Sequence, residues 1–237
     1  MSELVDLSGI WVRDGTAIGG LGLLLQRWTE KSLDYCECHD WEDNGWWYTE
    51  RASLSILAGA AWCLNGWCAM EEYSSRKHGK PEKDRPGERK GRADLWVGSA
   101  DTGYAIEAKQ SWQSIGDRAS GENPDIKAKF DAAWEDAGRL MSDCADHRIA
   151  AVFVSVQLPV AQVGSSGKRG KTLIDEGKVR LAVQEWLENS CLEFDKKVDA
   201  YAWVFPARVK NFVSKDGKRI YPGQLLLLRE RRKARRG

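Results

Sequence analysis

Residues 148–160, "RIAAVFVSVQLPV", run apolar for almost their whole length instead of alternating. A strand with one wet face alternates with a period of two. This one does not, so both of its faces must be covered, as in the centre of a sheet with helices on either side. The preceding "DIKAKFDAAWEDAGRLM" places Ile126, Phe130, Ala133, Trp134, Ala137 and Leu140 on one helical face. Around this pair the chain reads as a helix from Thr49 to about Tyr73, strands over 92–98 and 103–110 joined by "SADTG", a helix around 177–190, and strands over 199–206 and 219–228. That order predicts an α/β sandwich with a central mixed β-sheet flanked by helices. No glycine-rich phosphate loop opens any of the helices, so no nucleotide cofactor is expected.

The 237 residues suffice to bury a large core. The formal net charge of +1 hides an asymmetry, because residues 1–50 carry ten acids against three Lys or Arg. The basic excess gathers in 76–92 ("RKHGKPEKDRPGERKGR"), in 168–180 ("KRGKTLIDEGKVR") and in the tail "RERRKARRG". Such clusters suit a polyanion, or simply a solvated loop. The opening "MSELVDLSGIW" lacks a basic start and an apolar run, so no signal peptide is expected, and the six cysteines point to a reduced, cytoplasmic protein. Cys36, Cys38 and His39 resemble a zinc half-site without a second ligand pair, and the cysteines are expected to act as small packing residues. Residues 52–70 contain no charge, but Ser53, Ser55, Gly59, Asn65 and Gly66 dilute them, so a buried helix and no membrane span is expected. Trp41, Trp46 and Trp47 sit among Asp40, Glu42 and Asp43, which repel phosphate, and packing or partner docking suits them better than base stacking.

The stretch "GRADLWVGSADTGYAIEAKQSW", residues 91–112, places charge inside segments that otherwise read as sheet core. Buried charge is costly unless it is paired or holds a metal. Alternation puts Ala105, Glu107 and Lys109 on one face of the second strand, with Tyr104, Ile106 and Ala108 on the other. In the first strand Ala93, Leu95 and Val97 oppose Arg92, Asp94 and Trp96. A hairpin can therefore bring Asp94, Glu107 and Lys109 to a common face, backed by a dry layer of Leu95, Val97, Tyr104 and Ile106. Glu-x-Lys occurs three times, at Glu88, Glu107 and Glu176. Only Glu107 ends an apolar strand that follows an Asp-bearing one.

This segment, "RADLWVGSADTGYAIEAKQ", resembles the core of the PD-(D/E)XK nuclease superfamily, over roughly residues 48–158. Ala93 stands where that pattern often has Pro. The resemblance implies a restriction-endonuclease-like sandwich and a metal-dependent nuclease that hydrolyses phosphodiester bonds in nucleic acid, DNA in the first instance. It further implies that Asp94, Glu107 and the backbone carbonyl of Ala108 hold Mg²⁺ or Mn²⁺. Lys109 would position or deprotonate the attacking water, and Gln110 would contact substrate or the hydrated ion. A helical acid upstream often completes such a site. Glu50 is the candidate, because Leu54, Leu57 and Ala61 follow it along one helix stripe, with Glu42, Glu71 and Glu72 as rivals. Glu50 equally suits a helix N-terminus.

On this reading residues 1–47 form a Trp-rich acidic extension, 48–228 the nuclease-like domain and 229–237 a basic tail. Lys90, Arg92, Lys168, Arg169, Arg231 and Arg232 are the candidates for phosphate contact. A homodimer or a specificity-giving partner subunit stays open. Two other readings stand beside this one: a surface ion-pair cluster at a sheet edge, and a catalytically inactive nuclease-fold protein that binds nucleic acid or serves assembly.

Overall fold

The computed structural model describes residues 5–16, 18–78, 88–117, 124–141, 143–166 and 172–232. In chain order these form β1 (Leu7–Val12), α1 (Leu21–Cys38), a 3₁₀ turn (Gly45–Trp47), α2 (Glu50–Trp62), β2 (Cys68–His78), β3 (Glu88–Gly98), β4 (Gly103–Ser114), α3 (Pro124–Arg139), β5 (His147–Pro159), the single turn α4 (Val160–Val163), the short strands β6 (Gly164–Ser166) and β7 (Thr172–Ile174), α5 (Glu176–Lys197), β8 (Ala200–Phe205) and β9 (Arg219–Glu230).

Seven strands make one mixed sheet in the order β1-β8-β9-β5-β4-β3-β2. β5 lies at its centre, parallel to β4 and antiparallel to β9, as its unbroken apolar run predicts. Ile149, Ala151 and Phe153 enter the core beneath α1 and α2, while Ala150, Val152 and Val154 enter the opposite core with Ala133 and Ala137 of α3 and Val179 and Val183 of α5. The protein is thus α/β, with helices on both faces of a large mixed sheet.

The first 47 residues, read from the sequence as an extension, supply β1, which pairs with β8, and α1, whose Leu21, Leu24, Leu25 and Trp28 belong to the core. At the other end, residues 229 and 230 still belong to β9, so the basic tail begins later than 229.

A larger departure lies at 63–78. The helix expected to continue to Tyr73 stops at Trp62, and the chain turns through Asn65 and Gly66. Gly66 takes φ +75°, the left-handed conformation that glycine adopts without a Cβ penalty. β2 follows and pairs with β3 along a ladder from Cys68↔Gly98 to His78↔Glu88. The sequence at 76–92, read as one basic loop, therefore contributes both of its ends to strands, and residues 79–87 lie outside the described residues. Among the described residues no helix is long and apolar enough to cross a membrane.

Cys36 is buried as a packing residue, whereas Cys38 and Cys63 are exposed. Trp46 is buried and donates its indole N–H to the Tyr221 carbonyl at 3.0 Å, with its ring edge-on to Phe212. Trp47 packs against Phe212 and Tyr221, and Trp41 lies under the Arg208 guanidinium. All three serve packing inside the fold.

Candidate active site

β3 and β4 pair from Gly98↔Gly103 only as far as Leu95↔Ile106. Beyond that point β3 keeps its ladder to β2, and β4 keeps its ladder to β5 up to Ser114. A wedge therefore opens between them, and alternate N–H groups on that edge of β4 lose their strand partner. Buried backbone donors must be satisfied somehow. Carboxylates do this in a row. Asp94 Oδ2 accepts from the Ala108 N–H at 2.8 Å, the Gln110 backbone favours the charged form of the nearby Glu50, and Asp125 Oδ2 lies 3.4 Å from the Trp112 nitrogen.

Asp94 reaches this position because the β2–β3 ladder also breaks beside it. The register passes from Glu71↔Leu95 to Tyr73↔Ala93, and the intervening Glu72 takes φ +52°. The dry layer of Leu95, Val97, Tyr104, Ile106 and Ala108 forms as alternation predicts. Ala93 departs from alternation and packs with Ala105 and Leu140 on the other side.

Glu107 is 2% exposed and faces α3. Lys77 Nζ of β2 lies 2.6 Å from its Oε1, an ion-pair distance without hydrogen-bond alignment, so Oε1 remains a buried oxygen with no aligned donor. Burial pushes the Glu107 carboxyl up to about 7; Lys77 opposes the shift and Asp94 adds to it. Lys109 Nζ donates to the Ala108 carbonyl at 2.9 Å and meets Asp136 Oδ2 of α3 at 3.0 Å. Burial alone would lower the Lys109 pKa, but Asp136, Asp94 and Glu50 outweigh it and hold the group above the ordinary lysine value. It is an ammonium, not a free base. The Glu50 carboxyl is raised, chiefly by burial, with Lys109 pulling it back down and Asp94 pushing it up.

Asp94, Glu107, Lys109 and Glu50 thus interact electrostatically around one wedge, and the structure adds Asp136 and Lys77, which sequence reading missed. Asp136 flanks the inward stripe of Ala133 and Ala137, and that position was a usable signal. Lys77 had none while 68–78 read as a helix end and a basic loop. Among the described residues no three His, Cys, Asp or Glu side chains stand close enough together to form a ready metal cage, the Cys36–His39 segment included.

The remaining candidates are distributed differently. Gln110 follows Lys109 and lies on the opposite face of β4, the face that α2 covers. Its Nε2 donates to the carbonyls of Trp46 and Tyr48, at 3.3 and 3.0 Å, and to Ser155 Oγ at 3.1 Å, tying β4 to the 3₁₀ turn. Arg92 is exposed at the rim, where Glu72 holds both it and Arg51. Lys90 is exposed. The Arg231 guanidinium covers the Trp134 ring at 4.5 Å beside that of Arg229 at 4.3 Å, and Arg232 pairs with Glu230 at 3.3 Å. These two arginines are engaged within the fold. Lys168 and Arg169 lie outside the described residues.

A carboxyl raised on folding carries a pH signature. From the ordinary value of 4.5 up to about 7, the folded state keeps a proton on Glu107 that the unfolded chain has released. Stability from this group is therefore full below 4.5, falls as pH rises, and is lost above about 7. Relative to Glu107→Gln, the parent should lose up to about 3 kcal/mol between pH 4.5 and 8. Urea unfolding of both proteins across that range, in EDTA, measures the difference; parallel curves would contradict the burial argument.

No protein family, curated protein or solved structure matches the chain.

Proposed function

We propose that the wedge between β3 and β4 is the active site of a metal-dependent nuclease that hydrolyses phosphodiester bonds in DNA, on a restriction-endonuclease-like sandwich. The observation that carries this reading is the gathering of Asp94, Glu107, Glu50 and Lys109 where the two strands part. With Asp136 and Lys77 the cluster holds four carboxylates against two ammoniums, a formal deficit of two positive charges.

The residues fit a hard divalent ion. Asp94, Glu107 and the Ala108 carbonyl form an all-oxygen donor set, with Glu50 beside it, and Glu107 Oε1 is buried without an aligned donor. Mg²⁺ or Mn²⁺, when bound, lowers the pKa of a water and polarises a phosphate. Asp94 and Glu107 supply the negative charge that retains the ion. Lys109, held protonated by Asp136, offers a fixed positive charge to the pentacoordinate transition state as charge grows on its oxygens. Asp136 positions Lys109. Arg51 and Arg92, exposed at the rim on either side of Glu72, would meet the phosphate backbone, which orients substrate without reading sequence.

The second reading, an inactive binding module on this scaffold, draws support from the internal pairing of Glu107 with Lys77 and of Lys109 with Asp136. Incubation with linear, circular and single-stranded DNA, in Mg²⁺, Mn²⁺ or EDTA, separates the two. The nuclease reading expects cleavage with either metal and none in EDTA; binding without cleavage on all three substrates selects the second reading.

A further inference from the structure

Lys77 belongs to no part of the site as its sequence motif defines it, yet its delivery to Glu107 is built from three directions. The ammonium and carboxylate meet at 2.6 Å, with only 14% and 3% of their side chains exposed. The lysine stem runs over Gly91 of β3, where an added Cβ would stand 2.8 Å from both Cγ and Cδ and 3.3 Å from Cε. Any larger residue there would push the stem aside. The backbone beneath is pinned to the segment that follows α3. Lys77 bridges to Leu140, and the Met141 N–H donates to the Arg76 carbonyl at 3.0 Å, contacts that need only the backbone of residue 76.

Once ionised, a carboxylate buried this deeply needs a counter-charge if no ion is bound. The Lys77 ammonium sits at Oε1, where a cation using that oxygen would also sit. We propose that Lys77 is a resident cation that occupies Glu107 in the metal-free protein and must be displaced before a divalent ion can use that carboxylate. Lys77 thereby sets the ion concentration at which the site loads. This rests on the metal-dependent reading of the wedge. It gives Lys77 a positioning role, distinct from that of Lys109, whose amine bonds the Ala108 carbonyl and Asp136.

The test is direct Mn²⁺ titration of the full chain at fixed pH and salt, by electron paramagnetic resonance or calorimetry, without substrate. Lys77→Met should bind Mn²⁺ about tenfold more tightly than the parent, because the competing ammonium is gone. Gly91→Ala keeps the charge but displaces the stem, so it should shift affinity in the same direction by a smaller factor. It decides the matter alone if Lys77→Met does not fold. Arg76→Met deletes an equal charge one residue away, pointing to the opposite side of the strand, and should stay within about twofold of the parent. Parent-like or weaker binding by both Lys77→Met and Gly91→Ala overturns the role of Lys77 and leaves the metal site standing. An equal gain in Arg76→Met also overturns it, since net charge would then explain the effect. Failure of all four proteins to bind Mn²⁺ overturns this inference and the metal-dependent reading together.

Discussion

Lys109→Met is expected to slow DNA cleavage by about 10²–10³-fold, the cost of removing one preorganised group that stabilises transition-state charge. The substitution keeps the length of the stem and removes only the cation. Asp136, with 27% of its side chain exposed, can take water in place of the ammonium, while the buried Ala108 carbonyl loses its side-chain donor. Divalent-ion binding should not weaken, because a positive charge next to the ligands has been deleted. Single-turnover cleavage at saturating Mn²⁺, together with a Mn²⁺ titration, checks both halves. Parent-rate cleavage would remove Lys109 from the chemistry. A collapse of metal binding would mean that Lys109 acts on the fold instead.

Asp94→Asn should produce the other pattern, losing metal affinity and activity together. The amide oxygen of Asn can still accept the Ala108 N–H, so the hydrogen bond that closes the top of the wedge survives. The charge does not. Loss of an outer partner to a metal ligand already costs about 10–100-fold in affinity, and loss of a direct ligand should cost at least as much. Calorimetric titration with Mn²⁺ reads the loss, and thermal unfolding verifies that the fold is kept. Unchanged affinity would show that Asp94 serves only as an acceptor for the freed edge of β4.

Much of this arrangement is written locally, and the exceptions are instructive. β5 was legible because a strand covered on both faces needs an unbroken apolar run. The β3–β4 hairpin was legible because its alternation and short turn agree, and the dry layer under Glu107 follows from it. What alternation cannot show is where two strands stop pairing. The wedge arises because β3 and β4 follow different neighbours beyond Leu95, and that depends on β2. β2 was hidden in turn by the charge-free run 52–70, in which an Asn-Gly turn, not a change of polarity, marks the end of the helix. Lys77 went unread for the same reason. α1 has neither a side-chain cap at its start nor acids in its first turn, so the early glycines concealed a core helix. The interruption at Glu72, which frees Asp94, rests on a left-handed non-glycine residue that carries no sequence signature. Asp94, which caps the freed edge of β4, is also a ligand in the metal site we propose.

The claim that the wedge holds a catalytic divalent ion is tested most directly by a crystal structure with Mn²⁺, using anomalous scattering at the manganese edge. A divalent ion held there gives one strong peak between β3 and β4, about 2.0–2.2 Å from oxygens of Asp94 and Glu107 and from the Ala108 carbonyl, with Lys77 withdrawn from Glu107. A map with no peak there at saturating Mn²⁺, and with Lys77 and Lys109 still holding Glu107 and the Ala108 carbonyl, would contradict that claim.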